Sequence, residues 1–198
     1  MLTPDLLRAA FRDLHARRLH GFALLLALGD RDLASSAAAT ALDEAGKRIG
    51  ELRHPERAAA WLRRRVLALT RDSPRRRGAP GESERRQVLR AIGVHQTAYA
   101  ALAALRPEER ALLVAERVEG LAPLDAASIV GVGGRRLARL RSRSWLRYTN
   151  AFRAAHAAAD ARSEGSARAG IGLDEGQATD AEGPISTRVQ ESAGSGWM

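Results

Sequence analysis

The chain has 198 residues, 45% of them apolar but only 4% aromatic, and a formal net charge of +9. Alanine and leucine supply the apolar surface and β-branched residues are sparse, which points to an all-α fold. There is no cysteine, so disulfides and cysteine-ligated zinc or iron–sulfur centres are excluded. The longest apolar run, Phe22 to Leu28, falls far short of the ~20 residues a membrane span needs. The opening residues Met1-Leu2-Thr3-Pro4-Asp5 lack the basic start and apolar run of a signal peptide. A cytoplasmic protein with no membrane association is therefore expected.

The first helix begins at Thr3-Pro4-Asp5, with Thr as N-cap, Pro at the first position and an acid in the first turn. Leu7, Phe11 and Leu14 share one face, followed by Phe22, Leu25 and Leu26, and Gly29-Asp30 ends the run. A second, alanine-rich helix spans about Asp32 to Arg48 and stops at Gly50. Pro55 opens a third, to about Asp72, with an apolar stripe of Ala58, Trp61, Leu62, Val66 and Leu69. Arg57, Arg63, Arg64 and Arg71 lie around the rest of it. Residues 73–83, SPRRRGAPGES, hold two prolines and two glycines and read as a solvated linker.

A fourth helix is expected over 84–105, where Val88, Ile92, His95, Tyr99 and Leu102 repeat at helical spacing, with His95 as a core histidine. Pro107 restarts the chain, with Glu108 and Glu109 at the positive end of a fifth helix carrying Leu112, Ala115 and Val118. Glu119-Gly120-Leu121 turns into a short sixth helix holding Leu124, Ala127 and Ile129. Gly131-Val132-Gly133-Gly134 turns again into a basic seventh helix, Arg135 to His156, buried through Leu137, Leu140, Tyr148 and Phe152. Beyond about residue 160, Gly, Ser, Ala, Thr and acids dominate without a period, as in a disordered segment. There three arginines stand against seven carboxylates, a net −4, which leaves +13 for the body before it. The domains expected are thus two small helical ones, 1–72 and 84–156, joined by the flexible linker 73–83 and followed by a tail over 157–198.

All but one of the 32 cationic side chains are arginine, Lys47 being the exception. So basic a body suits phosphate backbones or an acidic protein surface. From Leu105 to Arg143 the order is helix, turn, short helix, glycine turn, basic helix, which is the helix-turn-helix layout. In that layout the last helix projects its first turns into a major groove while the short one braces it. Arg135, Arg136 and Arg139 fall there and suit guanine edges or phosphates; Arg141, Arg143 and Arg147 suit phosphates. The alternative is a pair of packed helices with a solvated basic face. No catalytic constellation stands out, and the five histidines show no metal-ligand spacing, so neither an enzyme nor a cofactor is expected.

Taken together, Leu105-x-Pro107-x-x-Arg110, Glu119-Gly120-Leu121 and Gly131 resemble region four of RNA polymerase sigma factors of the extracytoplasmic-function group. The first half is similar to region two: Leu19-His20-Gly21-Phe22-Ala23, Gly29-Asp30-Arg31-Asp32-Leu33-Ala34, then Trp61-Leu62 and Arg75-Arg76-Arg77. The resemblance covers about residues 5–153. It implies a non-catalytic initiation factor that binds core RNA polymerase and promoter DNA, with an anti-sigma factor as a further partner. The helix-turn-helix would read the minus-thirty-five element. The first domain would melt the minus-ten element through Trp61, Arg63, Arg64 and Arg71, with Trp61 either stacking on a flipped base or anchoring the core. The polymerase would meet Asp32, Ser35, Ser36 and Ala39 of the second helix.

The sequence departs from the family where carboxylates usually grip the polymerase: Ser35, Ser36, Ala39 and Thr40 stand there, and Gly133-Gly134 precede the recognition helix. The alternatives are a helix-turn-helix DNA-binding regulator that acts without polymerase, and a sigma-fold protein-interaction module that no longer supports initiation.

Overall fold

The computed structural model describes residues 3–48, 54–71 and 79–171, and every regular element among them is helical. In chain order these are α1 Pro4–Leu26, α2 Arg31–Lys47, α3 Pro55–Arg71, α4 Glu82–Ala91, α5 Gln96–Ala103, α6 Pro107–Leu113, α7 Pro123–Val130 and α8 Gly134–Ile171. A π turn, Val114–Val118, extends α6. Of the expected linker, residues 73–78 lie outside the described residues, as do Arg75-Arg76-Arg77, Gly50 and residues 172–198 of the tail.

Side-chain caps fix the starts of α1, where the sequence places it, and of α2, one residue before the expected Asp32. The Thr3 side chain accepts a hydrogen bond from the Leu6 amide, and Asp30 accepts one from Leu33 at 3.0 Å. The turn from α1 to α2 is tight, with Leu28 and Gly29 both in the left-handed region at φ 53° and 83°. It folds α2 back onto α1, and the small side chains Ala34, Ala37, Ala38, Ala41 and Ala45 line the buried face of α2. α3 packs on both, and also on α6 and α7.

The described residues up to Ala159 form one compact unit, whose core draws on both halves of the sequence. Leu19, Phe22, Leu62 and Val66 join Leu89, Leu112, Val114 and Ile129 in a single fully buried cluster. A second unit begins at Asp160, and its described residues, 160–171, are helical.

Four expectations need correction. The helix over 84–105 is two helices, because Gly93 at φ 86° ends α4 and His95 caps α5, its ring nitrogen 3.5 Å from the Thr97 amide. His95 is accordingly exposed rather than in the core, and Ile92 is 49% exposed. Leu7 and Leu14 of α1 and Leu124 of α7 are exposed as well. Finally, residues 157–171 continue α8; the alanines from Ala154 to Ala161 are strong helix formers and carry the helix past His156.

Candidate nucleic-acid interface

The segment expected to form a helix-turn-helix comprises α7, the Gly131–Gly133 turn and α8. α7 opens with Pro123 at its first position and closes at Gly131, which is left-handed at φ 70° and donates its N–H to the Ala127 carbonyl at 2.9 Å. Gly134, also left-handed at φ 56°, starts α8. Ala126 and Ile129 of α7 and Leu137 of α8 belong to the same buried apolar cluster.

On α8, Arg135, Arg136, Arg139 and Arg143 are all exposed. At 3.6 residues per turn they fall within an arc of about 100°. Leu137 and Ser144, both buried, and the half-buried Tyr148 lie on the other side. None of the four arginines makes an ion pair among the described residues. Ser142, also exposed, stands on the same face.

Most of the other predicted contacts are committed to the protein itself. Arg141 forms a bidentate pair with Glu116 of the π turn, at 2.9 and 3.1 Å from its Nε, and this pairing raises the Arg141 pKa above its ordinary value. Arg147 donates to the buried Glu109 at 3.0 Å, and Glu109 also accepts from the Arg106 amide at 3.1 Å. Arg63 is buried and forms a forked pair with Glu119, its Nη2 at 2.7 Å from Oε1, while its guanidinium sits 5.7 Å from the Phe22 ring centre. Trp61 is half-buried against the core. Arg71 is exposed, 3.6 Å from Glu108. Arg64 is exposed as well.

The Glu-Gly-Leu turn therefore has a structural task. Glu119 holds Arg63, Gly120 takes φ 66°, and the Leu121 amide donates to the Ala115 carbonyl at 2.9 Å. Arg110, from the same motif, is a buried hub. Its guanidinium donates to the carbonyls of Leu102 and Leu105, both at 2.9 Å, and to that of Leu26 at the end of α1. Burial pushes its pKa down to about 10, against the opposing influence of Tyr99, so it remains cationic at neutral pH. Sequence reasoning missed the ion pairs of Glu109, Glu116 and Glu119. Their partners lie 38, 25 and 56 positions away, and no local pattern signals such pairings.

Arg63→Ala strands Glu119 at the edge of an open groove of about 880 Å³ that also borders Leu14, His15 and Arg18. Water in that groove moderates the loss, so the expected cost is about 2–3 kcal/mol, below that of breaking a fully enclosed pair. Adding Glu119→Gln should recover part of it. A double-mutant cycle by urea denaturation checks this, and strictly additive losses would show that the two side chains do not interact.

Asp32, Ser35, Ser36 and Ala39 are all exposed and lie at spacings of three, four and seven, so they share one stripe of α2. No described helix is long and apolar enough to cross a membrane. Among the described residues no group of three or more histidine and carboxylate side chains is arranged to hold a metal ion. Comparison with protein-family models, with curated proteins and with solved structures finds no match to this chain.

Proposed function

We propose that this protein is a sigma-like transcription factor that holds promoter duplex with the first turns of α8. One observation carries the reading. Arg135, Arg136, Arg139 and Arg143 stand exposed on one arc of α8, while Arg63, Arg141 and Arg147 are taken up by internal carboxylates. Arginines on such an arc can fork onto guanine O6 and N7 or pair with phosphates.

The expected result of Arg135→Ala with Arg136→Ala is a loss of promoter affinity of about 10- to 100-fold, as for one good base contact, with the melting curve unchanged. A gel shift at fixed salt measures it, and wild-type affinity in the double variant would refute the assignment.

In the sigma-like reading the α2 stripe meets core polymerase. A second reading, a DNA-binding regulator independent of polymerase, is favoured by the chemistry of that stripe: Asp32 is its only charged member beside Ser35, Ser36 and Ala39. Without further carboxylates it has few charge-assisted hydrogen bonds to offer a basic partner. A pull-down with core polymerase separates the two. Retention that is lost on Asp32→Ala supports initiation, and no retention supports the regulator.

A further inference from the structure

α3 is not part of the helix-turn-helix, yet it runs past its turn. Arg57, Arg64 and Arg71 are exposed at spacings of seven, so they form one ridge that drifts by only about 20° per step. Arg71 faces Glu108 at 3.6 Å. Arg57 and Arg64 make no ion pair among the described residues. The Arg64 guanidinium reaches the turn itself: its Nη2 lies 4.0 Å from where a Cβ on Gly131 would stand. Gly131 is three residues from the start of α8, and the same turn delivers Arg135 and Arg136.

We infer that Arg57 and Arg64 form a phosphate-binding track continuous with the arginine arc of α8, so that one short stretch of duplex is held by both helices. The inference rests on the DNA-binding reading above and adds a site outside the helix-turn-helix to it. The dimensions fit. Seven helical residues rise about 10 Å, and three base-pair steps of a strand advance about 10 Å as well. Guanidinium groups fixed on a helix that is packed on α7 would meet backbone phosphates beside the groove that α8 enters. Such contacts carry no base information; they set register and strengthen binding to every sequence alike. In this arrangement Arg64 serves the same DNA segment as α8 and needs no separate promoter element.

The test uses the full chain and a labelled mixed-sequence duplex of about 15 base pairs, one and a half turns, too short to present two separated elements. Anisotropy titrations between about 50 and 200 mM salt give the slope of log affinity against log salt. Arg57→Ala with Arg64→Ala should reduce that slope by about 1.8, two phosphates' worth, and weaken binding equally on unrelated sequences. Arg57→Lys with Arg64→Lys should keep the slope near wild type. An unchanged slope in the alanine pair, while Arg135→Ala with Arg136→Ala still weakens binding, overturns the track and leaves the helix-turn-helix reading standing. A slope change seen on long duplexes but not on the short one overturns the continuity with α8. Failure of the unsubstituted protein to bind duplex at low salt overturns both readings.

Discussion

Arg110→Ala is expected to destabilise the compact unit by about 3–5 kcal/mol, the cost of stranding buried partners of a charged group. The guanidinium is 6% exposed as a residue and donates to three carbonyls on two elements, at the end of α1 and around the α5–α6 turn. Alanine removes all three bonds and leaves a cavity, and each bond from a charged donor is worth about 1.5–3 kcal/mol before compensation. In a unit of this size the midpoint should fall by roughly 10 °C. Lysine keeps the charge but not the planar fork, so Arg110→Lys should recover only part of the loss. Thermal denaturation followed by circular dichroism measures both. A shift in Arg110→Ala of only a degree or two would mean that water replaces the guanidinium and that the hub is not structural.

Gly29→Ala is the second large effect, at about 3–4 kcal/mol. Its φ of 83° imposes a left-handed backbone, which costs a residue with a Cβ about 1–2 kcal/mol. The new Cβ would also overlap the Arg85 carbonyl oxygen and stand 3.0 Å from its carbon, forcing α4 away from the α1–α2 turn at about 1–3 kcal/mol more. Gly93→Ala supplies the control. Gly93 has nearly the same φ, 86°, but nothing within 4 Å of the added carbon, so only the backbone cost applies. The difference between the two variants in urea denaturation isolates the packing of α4 on the turn. Equal losses would contradict that packing.

These residues mark where sequence reasoning reaches and where it stops. Features set by neighbours within a few positions are legible: the Thr3 cap, Pro4 and Pro107 at helix starts, and the turn at Gly131. The order of a short helix, a glycine turn and a basic helix belongs to this class, and so do the exposed arginines of α8, because the periodicity of Leu137 and Leu140 assigns their face. Periodicity misleads at 84–105, since a left-handed Gly93 can interrupt a helix while apolar residues on both sides keep helical spacing. Long-range pairings are the illegible part. The chain has 32 cationic side chains, and nothing local distinguishes Arg63, which takes up Glu119, from its exposed neighbour Arg64. That division is set by tertiary structure, which brings Glu119, at the end of the π turn, against Arg63 of α3.

The absence of cysteine allows the central claim, that the first turns of α8 lie in a DNA groove, to be tested by a single introduced thiol. Ser142→Cys places it on the exposed arginine face of α8 without removing an arginine, and Ala39→Cys places it on α2 as a control. Each variant is coupled to a DNA-cleaving chelate and bound to duplex. Cleavage confined to one short window from position 142, with little from position 39, is the result this account predicts. Equal cleavage from both positions, or none from position 142 under conditions where the protein binds, would contradict it.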